Sequence, residues 1–337
     1  MVTVVITTFN RAEMLREAIT SVLQQTYEGF QVVVCDNAST DYTEAVVRSF
    51  MQQDMRVKHC RRPYNLGGAK NWHHGFTDAH TDYVAWLMDD DLWYKDHLAD
   101  GVTRLEQYPG AVLYACGTIR ASECGNTVVH PWFLKEGDGD VVLEPTRDYI
   151  SLLPHCPFVG SSVIFRRKAL DAIPFWPPEI SVGDWILWGL LALQGRVIYN
   201  PSVRALYHWH KGNDTNKSLT GRRCAAQNAE ARRILANTAL NAGILNYQDI
   251  VSFFTSEAEA AAVCRVALSL CCSGMPHEVR RAAIKALVQR PVLTAGSGKH
   301  ILLRMARFGG GFAFPWFDRA NQILGRWRPS GVWPVAK

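Results

Sequence analysis

Four short runs with strand character, each followed by a segment with helical spacing, restrict the fold of the first 110 residues more than any other feature. The runs are residues 2–7, 31–35, 56–60 and 83–88. Strands that alternate with helices in this way predict an α/β fold, with a mostly parallel, doubly wound central sheet flanked by helices. Ligands bind in such sheets beside the carboxyl ends of the strands, so the polar residues after each run are candidates for a binding site.

Polar residues before the helical segments predict where the helices begin. Asn10 precedes the first helix, and Glu13 follows three residues later, as in a capping box. Asp41 and Glu44 have the same spacing before the second helix. A glycine-containing turn leads into the third helix, and the fourth is expected to begin near Lys95.

The pattern changes after residue 110. Strands are predicted at 111–117 and 161–167, with a turn-rich stretch between them. An apolar helix is predicted at 183–195, and a strand pair, or a strand with a tail, at 197–210.

These segments predict two regions. The first covers 1–215 and has two halves, 1–110 and 111–215. The glycine-rich stretch 212–221 is the expected linker, and the second region, 221–337, is predicted to be α-helical.

The composition is that of a globular protein, with 48% apolar and 20% charged residues in 337. None of the nine cysteines forms a CxxC pair, so we expect free thiols in a reducing compartment and no zinc site. The residues after Met1 lack the features of a secretory signal, and no apolar run reaches the roughly 18 residues that span a membrane. We therefore expect a cytoplasmic protein.

The positive charge is concentrated in the tail. Residues 296–337 contain seven Lys or Arg residues and one acid, whereas the rest of the chain is nearly neutral, so we expect no nucleic-acid partner. The tail is also rich in Ile, Leu, Phe and Trp, as in basic amphipathic segments that lie on anionic membranes. Peripheral contact with the inner face of the membrane and packing on the body of the protein both remain open.

The run "WLMDDDLW" at 86–93 places three carboxylates side by side at the end of a predicted buried strand. Adjacent carboxylates repel one another, and a divalent cation with oxygen ligands would offset that repulsion. The alternative is a solvated acidic loop. The position at a strand end, among other polar strand ends, favours a ligand site.

Four motifs in order carry a resemblance to a known family: "VVITTFNRAEML" with "VVVCDNASTD", then "NLGGAKNWHHGF", "YVAWLMDDDLW" and "GDWILWGLLALQG". Over residues 2–215 the chain resembles the inverting family 2 glycosyltransferases of the GT-A fold. The resemblance implies a nucleotide-sugar donor such as a UDP-sugar, a divalent metal, and a carboxylate that acts as general base.

The resemblance also implies residue roles. The donor nucleotide would be bound by Thr7, Thr8, Phe9, Arg11, Asp36, Asn37, Lys70 and Asp89. Asp90 would be the leading ligand of Mn²⁺ or Mg²⁺, Asp91 would bind the metal or its waters, and His210 is a further candidate. The family usually has Asp at the position of Met88 and an acidic residue at that of Asn37.

Asp184 is the candidate catalytic base, in a motif where Gly183 replaces the family's usual Glu. A structural role as helix cap is the alternative, since Asp caps helices well. Trp185 and Trp188 could stack on a sugar but are more typical of a helix core. Ser161 and Ser162 are weak acceptor-site candidates.

Two other functions remain open at this stage. One is a catalytically silent module that binds nucleotide sugars, and the other is a sugar nucleotidyltransferase. The acceptor could be a carbohydrate or a lipid-linked glycan in polysaccharide or glycoconjugate synthesis, and the sequence identifies neither the acceptor nor the sugar.

Overall fold

A computed structural model describes residues 1–122, 125–129, 139–153, 156–173, 182–213, 222–246 and 248–249. The chain divides into two compact units. The first contains Met1–Pro145 and Pro157–Lys211, and the second contains Thr146–Cys156 and Gly212–Lys337. The predicted domain boundary near 215 lies shortly after Lys211, and that domain assignment stays a prediction.

Within the described residues, ten strands form one sheet. In chain order they are β1 (Val2–Thr8), β2 (Phe30–Asp36), β3 (Val57–Arg61), β4 (Tyr83–Met88), β5 (Leu92–Trp93), β6 (Ala111–Ser122), β7 (Gly125–Val129), β8 (Val141–Leu143), β9 (Val163–Arg166) and β10 (Arg196–Trp209).

The described helices flank this sheet or follow it in the chain. They are α1 (Ala12–Leu23), α2 (Thr43–Gln53), α3 (Gly68–Thr77), α4 (His97–Gln107), α5 (Pro145–Asp148), α6 (Arg167–Asp171), α7 (Gly183–Ala192) and α8 (Arg222–Asn241), with 3₁₀ turns at Tyr149–Leu152 and Gly160–Ser162. Among them, none combines the length and apolar character needed to cross a membrane.

The strand order is β3-β2-β1-β4-β9-β6-β10-β5, with β7 paired to β6 and β8 to β10. The predicted α/β fold with a central sheet is confirmed. The strands β3, β2, β1 and β4 are parallel, as the strand–helix alternation predicts. The second half adds antiparallel pairs, because β9 runs against both β4 and β6.

The core explains why the first half folds in this order. Val4 and Ile6 of β1 are fully buried and belong to one apolar cluster with Leu15, Ile19 and Val22 of α1. These three helical residues recur at the spacing that places them on one face, so α1 packs that face against the sheet. The carboxyl end of β1 is thereby held between those of β2 and β4.

The capping box predicted at Asn10 is wrong. Asn10 adopts a left-handed conformation with φ 54°, and its side chain accepts a hydrogen bond from the Thr40 backbone N–H at 2.7 Å. Helix α1 begins at Ala12, whose N–H donates to Asp41 at 3.1 Å. Asp41 also accepts the N–H of Thr43, the first residue of α2. One aspartate from the β2–α2 loop therefore binds the starts of both helices.

Other boundaries differ modestly from the predictions. Helix α4 begins at His97, and α7 ends at Ala192. The segment predicted as a strand pair or a strand with a tail is one strand, β10, whose register shifts near Val203. Of the predicted helical region 221–337, the structure describes α8 and a few residues after it; the basic tail lies outside the described residues.

Candidate functional site

The strand β4 ends at Met88, and a turn at Asp89 and Asp90 separates the three carboxylates of the acidic run. The Asp91 N–H closes this turn on the Met88 carbonyl at 3.2 Å. All three aspartates are buried, with Asp91 fully inaccessible. The solvated-loop interpretation is therefore wrong, and each carboxylate needs its own partner, because burying an unpaired charge is costly.

Arg11 is the counter-charge for two of these carboxylates. Its Nη1 donates to Asp89 Oδ1 at 2.9 Å and to Asp90 Oδ2 at 2.8 Å. Burial raises the pKa of Asp89 to about 6, the charge of Arg11 lowers it, and the neighbouring Asp90 adds to the rise. Arg11 lies directly before α1, where the parallel pairing of β1 with β4 brings it to the acidic turn.

Two histidines at the end of β10 complete the surroundings of Asp90. His210 Nε2 lies 3.0 Å from Asp90 Oδ2. His208 Nδ1 lies 2.6 Å from the Asp90 backbone carbonyl, which can only accept, so this nitrogen carries the proton. The two-residue strand β5 directly follows the aspartates, and its antiparallel pairing with β10 brings both histidines next to Asp90.

Asp91 faces the protein. Its Oδ2 accepts from Ser161 Oγ at 2.5 Å, and its Oδ1 accepts from the His208 N–H at 3.0 Å. Burial and the neighbouring Asp90 raise its pKa well above the ordinary value. The metal role of Asp91 stays a prediction, but this geometry favours a structural role, and Ser161 takes part in it.

Ser161 also holds the strand end. Its Oγ accepts the Met88 N–H at 3.1 Å, and its carbonyl accepts from Trp93 Nε1 at 2.6 Å. Met88 directly precedes the three aspartates, and Trp93 is the second residue after them. Ser161, proposed from the sequence only as an acceptor contact, is therefore a residue that positions the acidic turn.

The predicted nucleotide residues lie at the same edge of the sheet. Thr8 is the register partner of Asp36, and Thr7 is that of Met88. Phe9 is exposed at this edge of the sheet, and Lys70 is exposed on α3. These positions fit a ligand that spans the carboxyl ends of β2, β1 and β4.

Asp36 is fully buried and held by several donors. His59 Nε2 lies 3.3 Å and Arg61 Nε 3.4 Å from its Oδ2, and Ser39 donates its N–H at 2.8 Å. Burial alone would raise the pKa of Asp36, but the hydrogen bonds from His59 and Ser39 outweigh it and lower the pKa. Asp36 is therefore ionised at neutral pH.

Asn37, the next residue, binds the loop before α3. Its Oδ1 accepts the Leu66 N–H at 2.8 Å, and its Nδ2 donates to Asn65 at 2.9 Å. The loop ends at Gly67, which has φ +85° and so needs glycine. An amide can make both contacts, whereas an aspartate could only accept. The asparagine that departs from the family pattern thus has a local explanation.

Asp184 lies in the first turn of α7 and is half-buried. Its Oδ1 accepts the N–H of Trp185 at 2.8 Å. The residue at the N-cap position is Val182, so Asp184 is not the helix cap. Its role as a base stays a prediction.

Packing explains why glycine precedes Asp184. A Cβ at Gly183 would lie 2.8 Å from the ring of Trp72. That ring packs on Trp86 of β4, whose indole in turn contacts Trp188. Trp185 and Trp188 are fully buried, so they belong to the core and do not stack on a sugar. Because the Trp72 ring occupies this space, position 183 has glycine where the family usually has glutamate.

The chemistry of the donor set fits a divalent cation at Asp90. Among the described residues, no group of three or more His, Cys, Asp or Glu side chains is arranged to hold a metal. Mg²⁺ and similar ions in phosphate-binding sites use one or two carboxylates and take their other ligands from phosphate and water. Asp90 and His210 supply such a small set.

A cavity of about 510 Å³ opens beside Asp90. It is lined by Met14, Glu17, Asp90, Leu92, Ala121, Ser122, His208, Trp209 and His210. The lining combines one face of α1 with the ends of β6 and β10. A ligand bound at Asp90 therefore has room to extend on this side.

The sequence interpretation missed the main contact of Arg11. It assigned Arg11 to the nucleotide, whereas the structure pairs it with Asp89 and Asp90. A signal was available, because three adjacent carboxylates at a strand end favour a nearby cation, and Arg11 is the basic residue that follows the neighbouring strand β1.

Comparison with known proteins identifies related chains. The family described as "Glycosyl transferase family 2" matches residues 3–173. WfaP of Escherichia coli, a UDP-Glc:alpha-D-GlcNAc-diphosphoundecaprenol beta-1,3-glucosyltransferase, is 25% identical over 215 residues, covering 63% of this chain and 79% of the relative. WfgD of Escherichia coli, described in the same words, is 26% identical over 188 residues, covering 56% of this chain and 68% of the relative.

Solved structures share the fold. TarS of S. aureus in complex with UDP-GlcNAc has a TM-score of 0.62 at 16% identity, covering 96% of this chain and 91% of that chain. The mannosyltransferase PcManGT of Pyrobaculum calidifontis, in complex with GDP-Man and Mn²⁺, has a TM-score of 0.52 at 19% identity, covering 96% and 84%. At these identities the likeness is one of fold.

Replacing Arg11 by Gln should destabilise the protein by about 3 kcal/mol at pH 7.5, since one partner of a mostly buried pair is lost. The destabilisation caused by this substitution should be smaller at pH 5.5 than at pH 7.5. The pKa of Asp89, about 6 in the folded state, rises further without Arg11, and the folded state then gains stability as the carboxylate takes up a proton between pH 7.5 and 5.5. Chemical denaturation at both pH values measures this.

Arg16→Gln is the matched control on the same helix. Arg16 is half-exposed and lies 3.5 Å from an exposed Glu13, so its loss should change stability by less than about 1 kcal/mol at either pH. If Arg11→Gln behaves like this control, Arg11 is not the counter-charge of the acidic turn.

Proposed function

This chain belongs to glycosyl transferase family 2, and from that premise we propose that it transfers a sugar from a UDP-sugar to a hydroxyl of a lipid-linked acceptor, with inversion at the anomeric carbon. It is an enzyme that transfers sugars, so the silent module and the nucleotidyltransferase are set aside. The observation that carries the proposal is the buried pair Asp89 and Asp90 beside His210, at the edge of the sheet where Asp36 also lies.

The donor nucleotide would lie along the carboxyl ends of β2, β1 and β4. Asp36 is ionised and buried at one end, and the base or ribose would lie beside it. Thr7, Thr8 and Phe9 follow on the middle strand, and Asp89 lies at the other end. The shared fold of TarS, which was solved in complex with UDP-GlcNAc, supports a UDP-sugar as the donor.

Asp90 and His210 would hold Mn²⁺ or Mg²⁺. Such an ion neutralises the charge that develops on the departing diphosphate. Arg11 already contacts Asp90, so it lies within reach of the same phosphate oxygens and can share that role. A structural neighbour that contains Mn²⁺ supports a metal of this kind.

Asp184 would act as the base. In direct displacement, the acceptor oxygen forms a bond to the anomeric carbon while the bond to the diphosphate breaks, and the acceptor proton passes to a carboxylate. One carboxylate is sufficient for this inverting route, and Asp184 is half-buried in the first turn of α7 with one oxygen already oriented by the Trp185 N–H. General-base assistance contributes roughly 10²–10⁴-fold.

The relatives support the choice of acceptor. Both relatives from Escherichia coli are described as acting on diphosphoundecaprenol-linked sugars. The basic tail 296–337, with its aromatic and apolar residues, would bring the enzyme to the membrane surface where such lipids lie. This tail lies outside the described residues, so its membrane contact stays a prediction.

Thermal unfolding with Mn²⁺ and different nucleotides tests the donor. UDP, UDP-glucose and UDP-GlcNAc at 100 times their Kd should each stabilise the folded state by about 2.7 kcal/mol. For a domain of this size that corresponds to roughly 5–10 °C in Tm. GDP-mannose at equal concentration is the control and should shift Tm little. Stabilisation by GDP-mannose alone would exclude a UDP-sugar donor.

Asp90→Asn should remove the effect of metal on donor binding. In the natural protein UDP should bind more tightly with Mn²⁺ than without it, and in the variant the two affinities should be equal within twofold, as measured by titration calorimetry. Asp96→Asn is the control, because Asp96 is half-exposed and pairs with Arg204 at 3.1 Å. A variant that keeps the full Mn²⁺ effect would remove Asp90 from the metal site.

Asp184→Asn should reduce turnover by about two to four orders of magnitude while UDP affinity stays near normal. Asp171→Asn serves as control, since Asp171 is an exposed partner of Arg167 on α6. The measurement is sugar transfer, or slow hydrolysis of the donor, at saturating UDP-sugar. Turnover at the natural rate would leave Asp184 with a structural role.

A further inference from the structure

Two cysteines that the transfer chemistry does not use lie side by side on β2 and β3. Cys35 and Cys60 are direct register partners in this parallel pair, so their side chains lie on the same face of the sheet. Neighbouring strands lie about 4.7–4.9 Å apart, and a disulfide joins Cα atoms about 4.4–6.8 Å apart. The spacing of paired strands therefore falls within the Cα range of a disulfide between these two cysteines.

The two thiols differ in accessibility and in acidity. Cys35 is fully buried beneath α3, where a Cβ at Gly75 would lie 2.9 Å from its sulfur. Cys60 is half-buried. The adjacent Cys35 thiol lowers the pKa of Cys60 to about 6 against the effect of burial, and the charge of Arg62 adds to this. The Cys60 thiol and burial together raise the pKa of Cys35. Cys60 is therefore the more accessible and the more acidic of the two thiols.

We propose that Cys35 and Cys60 form an oxidation site, in which a peroxide oxidises Cys60 and Cys35 then closes a disulfide between β2 and β3. In the first step the Cys60 sulfur attacks one peroxide oxygen, the O–O bond breaks, and a sulfenic acid and hydroxide (or an alkoxide) form. In the second step the Cys35 sulfur attacks the Cys60 sulfur, the S–O bond breaks, and water leaves with the Cys35 proton.

The residues around this pair connect it to the proposed donor site. His59 and Arg61, on either side of Cys60, both contact Asp36, which directly follows Cys35. The Cys35 carbonyl also accepts from Asn71 of α3 at 2.7 Å. A covalent bond between the two sulfurs therefore acts on the residues that hold Asp36, and we expect oxidation to weaken UDP binding; this consequence rests on the proposed function.

Mass spectrometry of the full chain tests the site directly. After treatment with stoichiometric hydrogen peroxide, a non-reducing tryptic digest should contain peptide 17–48 joined to peptide 59–61, and dithiothreitol should separate them. Brief alkylation at pH 7 should label Cys60 about tenfold faster than Cys156, another half-buried thiol. Absence of the joined peptide, or equal labelling of Cys60 and Cys156, would overturn the proposal.

Three variants separate the steps. Cys60→Ser should abolish oxidation at this site, and Cys35→Ser should stop at a sulfenic acid that dimedone traps on Cys60. Cys156→Ser is the matched control and should leave the joined peptide unchanged. A disulfide in Cys60→Ser that involves Cys35 and another cysteine would contradict the pairing. Because alkylation rates are measured on the natural chain, the proposal remains testable if a variant folds poorly.

Calorimetry with UDP tests the connection to the donor site. Oxidised protein should bind UDP at least several-fold more weakly than reduced protein, and dithiothreitol should restore the affinity. Equal affinities with the disulfide formed would overturn this connection. If the reduced protein itself binds no UDP, the donor assignment fails. The presence or absence of the joined peptide then still tests whether Cys35 and Cys60 form the oxidation site.

Discussion

Charge burial at the end of β4 is the constraint on which the site depends. Asp89, Asp90 and Asp91 are withdrawn from water, and each is stable there only because a different element supplies a partner. Arg11 comes from the start of α1, His210 from the end of β10, and Ser161 from the turn before β9. The acidic turn thereby ties together three elements that are distant in sequence, and a ligand that binds there meets a prearranged set of charges.

The three aspartates consequently have different properties. Both carboxylate oxygens of Asp91 accept hydrogen bonds from the protein, so Asp91 links β10 to the end of β4. Asp89 pairs with Arg11, and its pKa is raised to about 6 because burial opposes its ionisation. Asp90 contacts Arg11 and His210 and also lines the cavity. It is therefore the carboxylate placed to bind a cation that carries a phosphate ligand. Neighbours in sequence thus differ in chemistry because the turn directs them to different surroundings.

Two departures from the family pattern, Gly183 and Asn37, have local physical causes. Gly183 leaves space for the ring of Trp72, which is part of the aromatic packing between α3, β4 and α7. Asn37 uses both ends of its amide to hold the loop before α3, which an aspartate could not do. Such substitutions change packing and loop support while Asp184 and Asp90 remain in place, so they do not by themselves argue against sugar transfer.

The sequence by itself determined the strand–helix alternation, the parallel first half of the sheet and the edge at which polar residues gather, because these follow from local periodicity and from the rules of parallel sheets. It also identified Asp36, Asp90 and Asp184 as candidates through motifs. Only the tertiary structure decided that Arg11 pairs with the acidic turn, that Ser161 supports it, and that Asp41 rather than Asn10 binds the start of α1. These contacts join residues that are far apart in sequence, and side-chain partners across such separations depend on how the elements pack, which local patterns do not encode.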